Sequence, residues 1–283
     1  MKILLTGAHG MLAREIIATC DAAHQLELRD LEHLDITSAE AVDREVGAIA
    51  PDLVINCAAF TDVDGCESQR DHAFAVNGQA PGNLARACRQ TGARLCHFST
   101  DFVFDGTKGI PYLESDPVNP LSVYGASKAA GEEAIRAELG DDALIIRTSW
   151  LYGAGGPNFV ATILRLAAQQ DEISVVYDQV GCPTYALDCA RAFWQMLDNQ
   201  ATGIVHVCNS GVCSWYEFAR EIVRLAGLSC RVKAVTSEEF PRPARRPGYS
   251  VMYTGKYSCL AGAQMQPWKQ ALAAFLAEIG AAG

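Results

Sequence analysis

No stretch of the 283-residue sequence reaches the ~20 apolar residues that a membrane-spanning helix requires, so no membrane partner is expected. Basic residues are scarce, with 23 Lys and Arg against 33 Asp and Glu and a formal charge of −10. That balance disfavours attraction to nucleic acid or anionic lipid, which are polyanions. No C-x-x-C pair occurs among the eleven cysteines, whose number is odd and whose positions are scattered. Neither a zinc site nor a disulfide framework is indicated, and the cysteines read as small buried apolar residues in a reducing compartment. Met1 leads straight into an apolar stretch, without the basic region, long apolar segment and cleavage site of a signal peptide. A cytoplasmic location is the expectation. Internal repeats and low-complexity tracts are also missing, which excludes a repeat architecture.

What is present is ordinary for a globular chain: 49% hydrophobic and 20% charged residues, at a length that permits one large α/β domain or two lobes sharing a core. Short apolar runs at Lys2–Thr6, Gln25–Leu28, Leu53–Asn56, Arg94–Phe98 and Ala143–Arg147 alternate with helical patterns at Met11–Cys20, Ala39–Ile49 and Asp71–Thr91. This alternation predicts a Rossmann-like, doubly wound parallel sheet, class α/β, with a smaller C-terminal lobe. Residues 1–152 form the NAD(P)-binding domain in this reading, its sheet extended by segments within 172–208, where Ile173–Tyr177 and Ile204–Val207 look like strands. Residues 153–171 and 209–266 form the substrate-binding lobe. Residues 267–283 carry a C-terminal helix, with Pro267 at its start and Trp268, Leu272, Phe275, Leu276 and Ile279 on one side. The segment Arg231–Lys256 contains three prolines and reads mainly as loop.

The first strand ends in Thr6-Gly7-Ala8-His9-Gly10-Met11-Leu12-Ala13. Gly7 permits a tight turn, Gly10 lets the backbone approach a diphosphate, and the helix beginning there points free N–H groups at that anion. Placed directly after a strand, the pattern favours dinucleotide binding over a plain βα turn and makes Gly7, Gly10, Met11 and Leu12 cofactor candidates. Arg29 and Asp30 stand where a ribose partner is expected. Arg suits the 2′-phosphate of NADP, an acid suits the 2′-hydroxyl of NAD, and a solvated surface pair is the plain alternative. NADPH is favoured and NADH stays open.

Tyr124 and Lys128 are four apart, hence on one helix face, and a nearby ammonium lowers the pKa of a phenol that must deliver a proton. An exposed i,i+4 pair would explain the spacing equally well. Its context argues otherwise: the strand before it delivers Ser99-Thr100-Asp101 to the sheet edge where ligands bind, and the Thr100 hydroxyl can hydrogen-bond a carbonyl oxygen. Asn77 could orient Lys128 or serve only its own helix. From Arg231 to Lys256 six basic residues face two acids, a cluster suited to an anionic ligand or simply to water.

Together, Gly7-x-x-Gly10, Leu34-Asp35-Ile36-Thr37, Asp52-Leu-Val-Ile-Asn56-Cys-Ala-Ala59, Thr61-x-Val63-Asp64-x-x-Glu67, Ser99-Thr-Asp-Phe-Val-Phe-Asp-Gly106, Pro120-Leu-x-x-Tyr124-Gly-x-x-Lys128, Arg147-Thr-Ser-Trp-Leu-Tyr-Gly153, Asn158-Phe159 and Arg246-Pro247 resemble the dTDP-4-dehydrorhamnose reductase family, extended short-chain dehydrogenases/reductases. The resemblance spans essentially the whole chain. It implies NAD(P)H-dependent reduction of the 4-keto group of a nucleotide-diphospho-sugar in polysaccharide biosynthesis. Thr100 would polarise the ketone, Tyr124 protonate it, and Lys128 hold the nicotinamide ribose. Asp35, Ile36, Cys57, Ala58 and Ala59 would line the cofactor, and Asp101, Trp150 and Arg246 would contact the substrate, with Trp150 as core filler the alternative. Arg242 and Arg245 could reinforce Arg246. Phe102 stands where Tyr is common, and Gly248-Tyr-Ser-Val-Met-Tyr253 departs from the family pattern, which loosens the assignment of the sugar. A homodimer is compatible with the family. Some relatives bind Mg²⁺ at a dimer interface; Glu15 matches one acidic position but no partner acid follows Pro183-Thr184, so no metal is expected. The competing readings are a noncatalytic NADP-binding subunit similar to the regulatory subunit of methionine adenosyltransferase, and a reductase of another nucleotide-4-ketohexose.

Overall fold

A computed structural model describes residues 1–283. Five parallel strands, β1 (Lys2–Thr6), β2 (Gln25–Arg29), β3 (Leu53–Asn56), β4 (Arg94–Thr100) and β5 (Leu144–Thr148), are connected by helices, the first on one face of the sheet and the later long ones on the other. These are α1 (Met11–Ala18), α2 (Ala39–Ile49), two short helices α3 (Val63–Ser68) and α4 (Arg70–Ala73), α5 (Ala80–Thr91) and α6 (Val123–Leu139). Ser38 starts α2 by accepting the Ala41 N–H, and Ala50, left-handed at φ 47°, ends it before Pro51. The expected continuous helix over Asp71–Thr91 is instead α4, a π-helical segment Phe74–Gln79, and α5 with Pro81 in its first turn.

After β5 come β6 (Leu151–Tyr152), α7 (Phe159–Ala167), β7 (Glu172–Val176), β8 (Val180–Gly181), β9 (Thr184–Tyr185), α8 (Ala186–Asp198) and β10 (Gly203–His206). The chain closes with β11 (Cys213–Ser214), α9 (Trp215–Leu225), β12 (Arg231–Val235), α10 (Gly255–Ala261) and α11 (Trp268–Glu278). The main sheet runs β2-β1-β3-β4-β5-β10, all parallel. Its direction of progress reverses between β1 and β3, and a crevice opens there at the carboxyl ends of the strands.

The segment Gly203–His206 therefore joins the sheet beside β5, whereas Glu172–Val176 does not. That strand pairs in parallel with β12, inside the segment expected to be mainly loop. In β12 Arg231, Lys233 and Ala234 are exposed and Val235 alone is buried, so charge and exposure masked the strand.

Three apolar layers hold these pieces. Ile3, Leu5, Ile16 and Phe193 fill one face of the sheet, and Leu4, Val42, Leu84 and Ile135 the other. Ile173, Val175, Phe218, Ile222, Leu272 and Phe275 make a separate core among α7, α9, β7 and α11. No helix is long and apolar enough to cross a membrane.

Candidate active site

The β1–α1 turn is shaped by contact with the end of β3. Gly7 is left-handed at φ 71°, and a Cβ there would lie 2.6 Å from the Ala58 nitrogen. Only glycine fits both demands. Gly10 precedes α1 without any side-chain cap, so the first amides of the helix are free to meet an anion. They open onto a cavity of about 610 Å³ lined by His9 to Ala13, Cys57, Ala59, Phe98 to Phe102, Tyr124, Lys128, Thr148 to Leu151, Trp215 and Arg246, among others.

Thr100, Tyr124 and Lys128, which lie on two different elements, thus line one cavity with Gly10, Met11, Leu12, Asp101, Trp150 and Arg246. Their meeting depends on Gly125: a Cβ there would fall 2.2 Å from the Phe102 carbonyl oxygen, so glycine lets α6 sit directly on the turn after β4. The Thr100 hydroxyl donates to Asp101 Oδ1 (3.1 Å) and accepts the Phe102 N–H (3.2 Å). Lys128 is buried, and its Nζ donates to the Phe98 carbonyl (2.6 Å) and lies 3.1 Å from His97 Nε2.

Arg29, Asp35 and Ile36 do not line this cavity. Arg29 is engaged by Glu45 (2.7 Å) and Glu27 (3.7 Å). Asp30, beside it, accepts the backbone N–H of His9 (2.8 Å) and so buttresses the glycine turn. Asp35 Oδ1 accepts from the Thr37 hydroxyl and amide, and Ile36 is buried in the core under α2. Asn77 does not reach Lys128: its amide is used by both backbone groups of Phe60 and by the Ser127 hydroxyl.

Burial dominates the electrostatics. It pulls the Lys128 amine down to about 8, against the opposing pull of Glu132 and Cys57. Tyr124 moves opposite to the direction expected from its lysine neighbour: burial raises its phenol above the ordinary value, the Thr100 hydroxyl lowers it, and Asp101 raises it further. Lys128 is not among the groups that shift the phenol; its Nζ contacts the Phe98 carbonyl and His97. Burial also lifts Asp101 to about 6, despite hydrogen bonds from Ser250 and Thr100, and leaves its Oδ2 without a partner.

Two residues of this region escaped sequence reasoning. Trp215 lines the cavity and stacks on Trp150 with ring centroids 3.5 Å apart and planes 7° from parallel. Trp150 holds this position with a left-handed φ of 48°, a strained conformation for so bulky a residue. The cue for Trp215 was its place at the start of a helix opened by the Ser214/Glu217 capping box. The second is Asp64 on α3, which accepts from Arg246 (3.1 and 3.2 Å), Arg242 (2.9 Å) and the Ala244 N–H. The basic segment is therefore not open charge: Arg242 and Arg246 converge on one acid, and Arg245 remains exposed. On the same short helix, Glu67 accepts the Val123 N–H at the start of α6 (2.8 Å).

The family model described as RmlD substrate binding domain matches residues 1–281. A dTDP-4-dehydrorhamnose reductase from Streptomyces griseus is 43% identical over 99% of this chain and 95% of its own length. Among solved structures, a dTDP-4-dehydrorhamnose reductase from Clostridium acetobutylicum superposes with a TM-score of 0.96 at 43% identity, covering 99% of this chain and all of the other. Another from Bacillus anthracis, in complex with NADP, gives 0.95 at 38% identity, over 98% of this chain and 99% of the other. Matches of this length, over a chain whose sheet, turn and cavity are those just described, decide the matter: the chain belongs to the dTDP-4-dehydrorhamnose reductase family.

Proposed function

We propose that this protein reduces the 4-keto group of dTDP-4-dehydro-L-rhamnose to give dTDP-L-rhamnose, with NADPH as reductant. The observation that carries the reading is the opening of Thr100, Tyr124, Lys128 and the uncapped start of α1 into one cavity. The Bacillus anthracis relative is bound to NADP. The residues here fit such a dinucleotide: a glycine turn that tolerates no Cβ at Gly7, and free helix amides for the diphosphate.

NADPH, when bound, supplies the hydride. The chain handles the proton. Tyr124 gives its phenolic proton to the oxygen at sugar C4, and the Thr100 hydroxyl leaves Asp101 to hydrogen-bond that same oxygen as negative charge develops on it. Lys128 binds the nicotinamide ribose and stabilises the phenolate that remains. Cys57, Ala58 and Ala59 form the cofactor wall beside the Gly7 turn. Asp101 and Trp150 position the sugar, and Arg246 forks onto the substrate diphosphate. The lobe built from α7, β7, α9, β12 and α11 closes the sugar side.

Loss of reduced-nicotinamide absorbance on mixing NADPH, enzyme and dTDP-4-dehydrorhamnose tests this directly. Tyr124→Phe should lower kcat about 10²–10⁴-fold, the usual worth of a positioned proton donor, while NADPH affinity stays close to wild type. Absence of turnover by wild type across a panel of nucleotide-4-ketohexoses would refute the function. Unchanged turnover in Tyr124→Phe would refute the proton-donor role alone.

A further inference from the structure

Behind Lys128 lies a chain of polar groups sealed from water. His97, Asn56 and Thr6 are each no more than 1% exposed and Lys128 is 2% exposed. The Thr6 hydroxyl donates to Asn56 Oδ1 (2.8 Å), and the Ala58 backbone N–H donates to the same oxygen (3.1 Å). A backbone N–H can only donate, so the Asn56 amide is fixed with its oxygen toward Ala58 and its NH₂ toward His97 Nδ1, 3.0 Å away. His97 Nδ1 must then accept. A neutral imidazole that accepts at Nδ1 carries its proton on Nε2, and that N–H points at Lys128 Nζ, 3.1 Å away. Two donors cannot share this contact. Lys128 accepts there only as a free amine, with one of its own N–H groups on the Phe98 carbonyl.

We propose that His97 is a positioning residue that holds Lys128 inward as an uncharged amine in alkaline solution while the cofactor cavity is empty, so that cofactor binding there turns Lys128 outward as an ammonium and takes up one proton. The proposal rests on the cofactor reading above. Of the other charged and titratable groups around the lysine, Glu132 and Cys57 pull toward the ammonium, and burial outweighs them. On α6, Glu132 is spent on Arg147 of β5 (2.6 and 2.9 Å) and on Ser99 of β4, and burial keeps Tyr124 a phenol. Cys57, after β3, stays a thiol because burial raises it, and Asp101 accepts from Thr100. Burial keeps His97 itself well below its ordinary value, hence neutral. In proton terms, an amine Nζ plus one solvent proton becomes an ammonium, and no covalent bond changes.

Two measurements decide it. Nitrogen NMR of histidine-labelled ligand-free protein should show His97 neutral, protonated at Nε2 and bare at Nδ1, at pH values above the Lys128 value of about 8. An Nδ1–H tautomer overturns the proposal. Calorimetry of NADPH binding in buffers of different ionisation heat should show proton uptake rising from near zero below the Lys128 value of about 8 toward one per site above it. The dissociation constant should then weaken about tenfold per pH unit on the alkaline side.

Asn56→Asp keeps the bonds to Thr6 and Ala58 but accepts at His97 Nδ1. That variant inverts the tautomer and offers Nε2 to an ammonium. His97→Gln can turn its amide oxygen to the ammonium with the same result. In both, uptake in this range should fall to well under half of wild type. Uptake equal to wild type in a folded variant overturns the proposal, as does NADPH binding by wild type without uptake. If neither NADPH nor NADH binds, the cofactor reading fails and the coupling with it, while the tautomer still reports whether His97 holds the amine.

Discussion

In the proposed reading, Arg246 exchanges its bond to Asp64 for one to the substrate diphosphate. Burial alone would raise the Asp64 carboxyl, but hydrogen bonds from Arg246, Ala244 and Arg242 outweigh it and bring the group down to about 2. Asp64 therefore stands as an anion where the guanidinium forks, and a substrate diphosphate has to compete with it. Arg246→Ala should raise KM for the nucleotide-sugar by about 10- to 100-fold, the worth of one or two charge-assisted hydrogen bonds, with a much smaller change in kcat. Arg246→Lys should recover little of this, because an ammonium lacks the fork. Steady-state kinetics separate the two parameters, and a loss confined to kcat would rule out the clamp. At this scale the sequence was readable where chemistry dictates a spacing: Tyr124 and Lys128 one turn apart, Thr100 at a strand end. Asp64, His97 and Trp215 were not, because their importance comes from partners 31 to 182 positions away in the chain.

Among the elements, α6 has the tightest seat. Gly125 meets the Phe102 carbonyl, and Glu67 of α3 ties down the Val123 amide. Gly125→Ala should cost about 1–3 kcal/mol by overpacking, and it should also depress turnover because relief requires α6 to move Tyr124 away from Thr100. Denaturant unfolding and kinetics on the same sample test both parts; a destabilised variant with unaltered kcat would show that the helix yields elsewhere. Strands β1 and β3 and helix α2 fall at the residues their apolar patterns indicated, since each is a continuous buried run or a clean helical stripe bounded by Ser, Pro or a turn. The π-helical segment was invisible because six residues without a cap, set between two helical stretches, are too short to reveal a change of period. The strand at Arg231–Val235 was hidden because its partner, Glu172–Val176, is 59 residues earlier and had been assigned to the main sheet.

For the molecule as a whole, acid stability turns on two sealed imidazoles. Burial holds His97 well below its ordinary value, and burial followed by Arg147 takes His206 down to about 3. A histidine depressed in the folded state contributes stability that is present above the unfolded value of about 6.5 and is lost as pH falls toward the folded one. Asp101, raised to about 6, works in the opposite sense between pH ~6 and ~4, since the folded state holds its proton more tightly there. Two groups outweigh one, so the unfolding free energy should drop between pH 7 and pH 5, with a contribution of about 2 kcal/mol per buried histidine. His206→Gln should remove about three quarters of that net drop, and an identical pH dependence in wild type and variant would contradict the assignment. The stacked indoles of Trp150 and Trp215 sit where the main sheet meets the second lobe, one just after β5 and the other opening α9. Rings this close share their electronic excitation, so the protein carries its own optical gauge: near-ultraviolet circular dichroism should show a paired band that is lost in Trp215→Phe and is altered whenever a sugar ring enters beside them.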